Sequence, residues 1–251
     1  MEDLVAFLAR HGFVAAEEEA AELEAFAGGD ARRLSAAVER RLTGEPLAWI
    51  TGSVVFCGLT LRVDPGVYVP RWQTEDVARD AVARLPRGGT AIDLCTGCGA
   101  LAAVLMAEAG ARVRATDVDE ASVACARANG VDAVVGDLFA PLPGSLCNTI
   151  DLVCGVVPYV PTGELSLLQR DTFAFETELA YDGGGDGCVV LRRAVVGAAG
   201  FLRGGGALVL ELGGDQASLL APDLAAGGFA DVRVLRDEDG DVRGVAATLA
   251  P

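Results

Sequence analysis

A glycine-containing loop at residues 91–102 offers the clearest chemistry in the sequence. Its residues, AIDLCTGCGALA, predict a hydrophobic strand that ends near Asp93, then a turn with Gly97 and Gly99, then a helix. Glycine lets a ligand approach the backbone closely, and the N-terminus of a helix favours anionic groups. Asp117 ends the next predicted strand, about 20 residues after Gly97, where a carboxylate can accept hydrogen bonds from ribose hydroxyls. The pattern predicts a site for a nucleotide-containing cofactor.

Two cofactors are compatible with this loop. Residues 97–102 satisfy the pattern G-x-G-x-x-A of dinucleotide-binding enzymes. The alternative is S-adenosylmethionine (SAM), whose binding loop has an acidic residue just ahead of the glycines, as Asp93 is here. A carboxylate at that position suits the ammonium group of SAM and repels a pyrophosphate. The sequence therefore favours SAM over NAD.

Cys95 and Cys98 in the same loop form a C-x-x-C pair. No second pair follows at zinc-ribbon spacing, and a redox pair is expected at the start of a helix in a thioredoxin-like fold. We interpret these cysteines as small residues that fill a tight loop, and we predict no metal site.

Composition limits the remaining functions. The chain has 251 residues and a formal net charge of -16, which argues against a broad nucleic-acid interface. It contains no lysine, which excludes Schiff-base chemistry, and its single histidine, His11, argues against histidine-based triads. No apolar run is long enough to span a membrane, and the acidic start lacks a signal-peptide pattern. We expect a cytoplasmic protein with free thiols and no membrane partner.

The rest of the chain predicts the elements that position the loop. Residues 2 to about 43 predict helices, including Ala15–Ala27 and Ala31–Leu42, and residues 53–69 predict two β segments, VVFCGLTLRV and GVYVP, that form a hairpin. From Thr90 onward, strands and helices alternate, which is typical of a parallel sheet with helices on both faces. The predicted strands are Thr90–Cys95, Arg112–Asp117, Asp132–Val135, Ile150–Cys154 and Gly206–Leu212, and the predicted helices are Leu101–Glu108, Ala121–Ala128 and Gly187–Phe201. The last two strands flank the acidic, glycine-containing turn at residues 237–241 and predict a terminal hairpin.

Eight sequence blocks, in this order, resemble the HemK/PrmC family of SAM-dependent protein-glutamine N-methyltransferases. These blocks are EPLAWITG (45–52), FCGLTLRVDPGVYVPR (56–71), AIDLCTGCGAL (91–101), ATDVD (115–119), GDLF (136–139), VPYVPTGEL (157–165), YDGGGDG (181–187) and LVLELG (208–213). The resemblance implies an α/β, Rossmann-like class I methyltransferase fold with a seven-stranded sheet and a C-terminal β-hairpin. We predict a helical cap at 1–50, a hairpin connector at 51–72 and the methyltransferase domain at 73–251.

The family also implies which residues contact SAM. They are Asp93, Cys95, Thr96, Gly97 and Gly99 in the loop, Asp117 and Val118 at the ribose, and Asp137 and Leu138 near the adenine.

The segments that surround the methyl acceptor in the family have a different sequence here. The family signature Asn-Pro-Pro-Tyr, whose asparagine holds the glutamine amide, falls on Val156, Val157, Pro158 and Tyr159. Valine has no hydrogen-bond donor or acceptor in its side chain and cannot hold an amide. Other changes are Trp72-Gln73 for Pro-Glu, Glu176-Thr177-Glu178 for Glu-Pro-Arg, and Tyr181 for leucine.

We therefore expect a SAM-dependent methyltransferase with a changed acceptor, most simply the amine of a small molecule in bacterial secondary metabolism. An amine is a better nucleophile than an amide and needs less help from the protein. Three alternatives stay open: methylation of a release-factor glutamine, SAM binding without turnover, and an NAD-dependent oxidoreductase. The acceptor pocket is predicted from Trp72, Gln73, Val156, Val157, Pro158, Tyr159, Glu176, Glu178 and Tyr181, with Tyr159 and Glu176 as catalytic residues.

Overall fold

The N-terminal part of the protein is a small helical cap with its own apolar core. The computed structural model describes residues 3–168 and 175–251, so Glu2, with which the predicted helical segment begins, lies outside the described residues. The cap consists of α1 Leu4–Arg10, α2 Ala16–Ala27, α3 Ala31–Leu42 and α4 Leu47–Thr51. Asp30 accepts hydrogen bonds from two backbone N–H groups at the start of α3, which is the usual N-cap arrangement.

A two-stranded hairpin connects the cap to the main sheet. Its strands are β1 Ser53–Phe56 and β2 Leu59–Arg62, paired antiparallel. The second predicted β segment, residues 66–70, is wrong, because this stretch is an irregular loop. The loop is fixed instead by the buried indole of Trp49, which donates a hydrogen bond of 2.9 Å to the carbonyl of Val67.

The main domain contains a seven-stranded sheet in the order β5-β4-β3-β6-β7-β9-β8. Its strands are β3 Thr90–Leu94, β4 Arg112–Asp117, β5 Asp132–Val135, β6 Ile150–Gly155, β7 Leu202–Glu211, β8 Phe229–Arg236 and β9 Val242–Leu249. Strands β3 to β7 pair in parallel, and β9 pairs antiparallel with both β7 and β8. The predicted seven-stranded α/β fold with a C-terminal hairpin is confirmed.

Helices cover both faces of this sheet. They are α5 Thr74–Arg84, α6 Ala100–Ala109, α7 Glu120–Ala128, α8 Val189–Phe201 and α9 Gln216–Ala226. Successive residues of β3 alternate between two apolar cores: Ala91 packs with α5, α6 and α7, while Ile92 packs with α8 and α9. The sequence prediction named α6, α7 and α8 within two residues of their ends but did not name α5 or α9.

The chain order places a crevice at the carboxyl end of the sheet. After β3 the chain runs outward through β4 and β5 and then returns to β6 on the other side of β3. Loops that diverge from such a switch point leave a crevice in which α/β proteins usually bind ligands. No helix in the described ranges combines the length and apolarity needed to cross a bilayer.

Candidate active site

The loop after β3 has the backbone shape of a ligand cradle. Gly97 and Gly99 have φ angles of +55° and +87°, which side chains with a Cβ rarely adopt. A Cβ added at Gly99 would lie 2.8 Å from Cγ2 of Val131, so glycine is required there for packing as well as for conformation. At Gly99 the loop therefore packs against Val131 and Ala126 more closely than any other residue type would allow.

Asp117, at the end of β4, fixes this loop. One carboxylate oxygen accepts a hydrogen bond of 2.9 Å from the N–H of Gly97, and the other accepts one of 3.0 Å from the N–H of Asp119. Burial raises the pKa of Asp117, and these two N–H groups oppose the rise. The side chain is thus held at the rim of the crevice between two loops.

Asp93 lies at the floor of the crevice. Its carboxylate accepts hydrogen bonds of 2.6 Å from the Thr96 hydroxyl and 3.3 Å from the N–H of Ala102. Burial nevertheless raises the pKa of Asp93 to about 7, because these neutral donors do not replace the solvation that a charge loses. A ligand cation beside Asp93 would favour its ionised form.

A cavity of about 200 Å³ opens over these loops. Eight of the nine predicted cofactor residues line it: Asp93, Cys95, Thr96, Gly97, Asp117, Val118, Asp137 and Leu138. Gly99 does not line it and acts through the shape of the loop. Tyr68, Ser122 and Arg193 also line the cavity and were not predicted. Arg193 forms an ion pair of 2.5 Å with Asp137.

The cysteines of the C-x-x-C pair are not reactive thiols. Burial raises the pKa of both Cys95 and Cys98, which keeps them protonated at neutral pH. All seven cysteines of the chain are free. Within residues 3–168 and 175–251, no group of histidine, cysteine or acidic side chains is arranged to hold a metal ion. The pair fits the interpretation as small residues in a tight loop.

A second cavity, of about 1080 Å³, adjoins the first. Among the residues that line it are Trp72, Gln73, Val156, Val157, Tyr159, Glu176 and Tyr181, all predicted for the acceptor. Pro158 faces the smaller cavity instead, and Glu178 is exposed and lines neither. Three residues line both cavities, namely Tyr68, Val156 and Ala180. Val156 therefore stands where the two cavities meet.

Glu176 is buried and already engaged by three donors. Its carboxylate accepts hydrogen bonds from the N–H of Val69 at 3.0 Å, from Arg71 at 2.5 Å and from the Tyr181 hydroxyl. Only 4% of the residue is exposed. These contacts tie the loop after β2 to the segment that follows residue 175. Glu176 thus supports one wall of the larger cavity.

Tyr159 has a separate partner. Its hydroxyl donates a hydrogen bond of 3.0 Å to Oε1 of Glu211, at the end of β7. Its backbone carbonyl accepts one of 2.6 Å from the side-chain amide of Gln216. The sequence prediction missed both partners. The signal for Glu211 was present, since it is a single acidic residue between the apolar residues of LVLELG.

The glycine-rich segment 183–187 presses against the backbone of Tyr159. A Cβ at Gly183 would lie 2.7 Å from Cα of Tyr159, and one at Gly187 would lie 2.3 Å from its carbonyl oxygen. Gly183 and Gly187 of the YDGGGDG block are therefore required, because two segments of backbone meet here without room for side chains.

Trp72 is a large apolar side chain that is not part of a core. It is 68% exposed and lies on the larger cavity, next to Gln73 at the start of α5. An exposed aromatic residue beside a cavity is available to a ligand.

The sheet order and the placement of these loops are those of class I SAM-dependent methyltransferases, and solved structures share them. The Mtq2–Trm112 complex of E. cuniculi, described as responsible for methylation of the termination factor eRF1, matches with a TM-score of 0.55 and 22% identity, covering 74% of this chain and 99% of that one. A methyltransferase of Pyrococcus furiosus matches with a TM-score of 0.54 and 19% identity, covering 86% and 100%. These likenesses show that the protein has the fold of the class I methyltransferases.

Its relatives define the family more narrowly. Release factor glutamine methyltransferases of Geobacter sulfurreducens and Moorella thermoacetica are 33% and 38% identical over 84% and 86% of this chain, and over 76% and 80% of their own lengths. The chain therefore belongs to the release factor glutamine methyltransferase (HemK/PrmC) family. A 4-amino-L-phenylalanine/4-methylamino-L-phenylalanine methyltransferase of Streptomyces pristinaespiralis is also 38% identical, over 71% of this chain and 65% of its own length. No protein-family model matches the chain.

Proposed function

We propose that this protein transfers the methyl group of SAM to the nitrogen of a small-molecule amine, and not to a glutamine amide. The observation that carries the proposal is Val156, which lies where the two cavities meet and has no polar atom in its side chain. A glutamine amide in this position would lose a partner for its carbonyl or its N–H, at a cost of about 1–3 kcal/mol for an unpaired buried polar group.

An amine tolerates this apolar wall better than an amide does. The lone pair of an amide nitrogen is delocalised into its carbonyl, so an amide needs polar contacts that favour attack. An amine with a free lone pair needs mainly position and the exclusion of water. Val156 and Val157 supply an apolar wall, and Tyr159 supplies one polar group beside it.

A relative with an amine substrate supports this choice. The Streptomyces enzyme named above acts on 4-amino-L-phenylalanine, whose reacting nitrogen is an aromatic amine. Trp72 and Tyr181 add aromatic surface to the same cavity. Aromatic rings pack well against an aryl group. We therefore propose an arylamine as the acceptor class, in bacterial secondary metabolism and in the cytoplasm.

The cofactor roles follow from the smaller cavity. SAM supplies an activated methyl group when it is bound. We assign Asp93 to its ammonium group, Asp117 to its ribose hydroxyls, and Asp137 with Leu138 to the surroundings of its adenine. The lining of the cavity supports these assignments, because the carboxylates of Asp93, Asp117 and Asp137 all line it beside the glycine loop. Glu176 is assigned to holding Arg71 and Tyr181 in the wall of the acceptor cavity.

A second candidate is methylation of a glutamine in a release factor. It is favoured by the names of the relatives at 33% and 38% identity. It is also compatible with the larger cavity, which extends from Leu47 in the cap to Arg243 in the C-terminal hairpin. Under this alternative, residues other than Val156 would have to form the hydrogen bonds that hold the glutamine amide.

Mass spectrometry of reaction products tests the proposal. The purified protein is incubated with SAM and either 4-amino-L-phenylalanine or a release-factor domain that contains the glutamine. We expect one or two methyl groups on the amine nitrogen and none on the glutamine. Methylation of the glutamine alone would establish the second candidate. Binding of SAM without methylation of either acceptor would show that the protein is not an enzyme for these substrates.

A further inference from the structure

Glu211 is a buried carboxylate on the wall of the larger cavity. Only 5% of the residue is exposed, and it lies at the carboxyl end of β7, beside the loop that follows β6. It lines the cavity together with Tyr159 and Val156. Neither the family comparison nor the sequence pattern assigns it a role.

Glu211 has few partners compared with Glu176. Oε1 accepts the hydrogen bond from Tyr159. Among the described residues, Oε2 of Glu211 and Oγ1 of Thr74 are buried without a hydrogen bond of ordinary geometry. The Thr74 hydroxyl lowers the pKa of Glu211 but makes no hydrogen bond of ordinary geometry with its carboxylate. A buried carboxylate with one direct donor retains the capacity to accept a proton.

The Tyr159–Glu211 contact determines what the phenol can offer to a ligand. An ionised carboxylate only accepts hydrogen bonds, so the single hydroxyl hydrogen of Tyr159 is committed to Glu211. The phenol oxygen is then left with its lone pairs free. Toward the acceptor cavity it can accept a hydrogen bond but cannot donate one.

We propose that Glu211 makes Tyr159 a hydrogen-bond acceptor and so selects a methyl acceptor with an N–H group. This inference rests on the proposed function and deepens it. The acceptor N–H donates to the Tyr159 oxygen, which directs the nitrogen lone pair toward the smaller cavity across Val156. A ligand group without a donor, such as a carbonyl oxygen or a tertiary amine, finds no partner here. Glu211 acts through Tyr159 and is therefore a positioning residue.

The same pair receives the proton that methylation releases. The amine nitrogen uses its lone pair for the new N–C bond, and the C–S bond breaks with its electron pair on sulfur. The N–H proton passes to the Tyr159 oxygen while the phenol proton passes to Glu211. The products are the methylated amine, S-adenosylhomocysteine and a neutral Glu211, which later returns its proton to solvent.

The surroundings of Glu211 suit this role. Burial raises the pKa of Glu211, while the hydroxyls of Thr74 and Tyr159 and the charge of Arg243 oppose the rise. Burial also raises the pKa of Tyr159, and the charge of Glu211 adds to the rise, so the phenol stays protonated. Tyr68 faces the same carboxylate and stays protonated for the same reason. A carboxylate with a raised pKa accepts a proton more readily than an exposed glutamate does.

A double-mutant cycle tests the inference with 4-amino-L-phenylalanine as the probe. The variants are Glu211→Gln, Tyr159→Phe and the double variant, with Glu178→Gln as the control, because Glu178 is exposed and lines neither cavity. Two quantities are measured: kcat/KM, and binding of the probe to the protein loaded with S-adenosylhomocysteine. The glutamine amide can donate to Tyr159, which frees the phenol hydrogen to point into the cavity.

We expect each single variant to lower kcat/KM by about tenfold to a hundredfold, which corresponds to the free energy of one hydrogen bond to a charged group. Probe binding should weaken in both, and S-adenosylhomocysteine binding should be unchanged. The double variant should be no worse than Tyr159→Phe, because Glu211 acts through the phenol. With SAM saturating, the wild-type rate should fall as acid protonates Glu211, and in Glu211→Gln this fall should move to the lower pH at which the amine of the probe is itself protonated.

Other results would overturn the inference. A wild-type kcat/KM in Glu211→Gln or in Tyr159→Phe would do so. A double variant whose kcat/KM falls by the product of the two single-variant factors would also do so, because the two residues would then act independently. If Glu211→Gln does not fold, the Tyr159→Phe result still decides. Failure of the wild-type protein to methylate any amine is a different outcome, because it contradicts the proposed function itself.

Discussion

At the scale of single residues, the site contains three buried carboxylates whose neighbours give them different tasks. Asp93 has two neutral donors and faces the cofactor cavity. Glu176 has three donors, including an arginine, and supports a wall. Glu211 has one direct donor and lies beside the acceptor loop. The residue type alone does not distinguish these tasks, since each task depends on which groups surround the carboxylate oxygens.

The proposed contact of Asp93 with the ammonium group of SAM predicts that SAM binding depends on pH. Its pKa in the cofactor-free fold is about 7, against an ordinary value of 3.8, so the fold favours its protonated form. The stability that this group contributes is present below pH 3.8 and is lost as pH rises through about 7. A bound ammonium favours the ionised form instead. SAM affinity should therefore rise as pH approaches neutrality, with proton release on binding.

Titration calorimetry in buffers of different ionisation enthalpy measures that proton release. Asp93→Asn should bind SAM more weakly than the wild type does and should release no proton from this position. An unchanged proton release in the variant would show that another group titrates.

Asp117 should contribute to SAM affinity more than other strand-end carboxylates do. Asp117→Ala removes the acceptor for the N–H of Gly97 and the proposed partner of the ribose, so binding should weaken by about 1–3 kcal/mol. Asp132→Ala is the control, because Asp132 begins the neighbouring strand and is exposed. Calorimetry with S-adenosylhomocysteine measures both. Equal affinity of the two variants would contradict the assignment of Asp117.

At the scale of elements, the loop after β6, which contains Val156 and Tyr159, is held in place by its neighbours. The carbonyl of Tyr159 is held by Gln216 of α9, and the segment 183–187 packs directly on its backbone. The ends of β6 and β7 bring Val156 and Glu211 to the same edge of the sheet. The loop position is thus determined by α9, β7 and the glycine-rich segment together.

A pair of glycine variants tests this support. Gly187→Ala should displace Tyr159, because its Cβ would lie 2.3 Å from the Tyr159 carbonyl and from the amide nitrogen of Gln216. Methyl transfer should fall while SAM binding remains. Gly185→Ala is the matched control, since a Cβ there meets nothing within 4 Å. Activity assays and calorimetry distinguish the variants. Equal activity of both would contradict the role of the glycine contact.

The sequence predicted the parallel strands well because they are short apolar runs separated by turn residues. It did not predict α9, which contains Pro222 and lies between glycine pairs. Nor did it predict α5, whose buried face includes the small Ala78 and Ala81 and gives a weak periodic pattern. Most of the cofactor residues could be predicted because they share the loop after β3 and the end of β4, whereas Asp137 and Leu138 came from the family resemblance; their roles stay predictions. Glu211 was missed because its role depends on a contact 52 residues away in the chain.

At the scale of the whole molecule, the cap, the hairpin and the sheet domain together line the larger cavity. Its lining includes Leu47 of the cap, Val54 of the hairpin and Arg243 of β9. Trp49 joins the cap to the loop that contributes Tyr68, through its hydrogen bond to Val67. The stability of the cap and the shape of the cavity are therefore linked.

The two tryptophans of the chain should differ in their effect on stability. Trp49→Phe leaves the buried carbonyl of Val67 without its donor and should lower the free energy of unfolding by about 1–3 kcal/mol. Trp72→Phe alters an exposed ring and should leave that free energy within about 0.5 kcal/mol of the wild type. Chemical denaturation measures both. The reverse order would contradict the assignment of Trp49 to the fold and Trp72 to the cavity.

The central claim is that this member of a glutamine methyltransferase family methylates amines. The most direct measurement is the ratio of kcat/KM for 4-amino-L-phenylalanine to kcat/KM for a release-factor glutamine, determined on the same preparation of wild-type protein. We predict a ratio above one, and a lower ratio in Val156→Asn, which restores a side chain that can hold an amide. A wild-type ratio well below one would contradict the account, whatever the variant does.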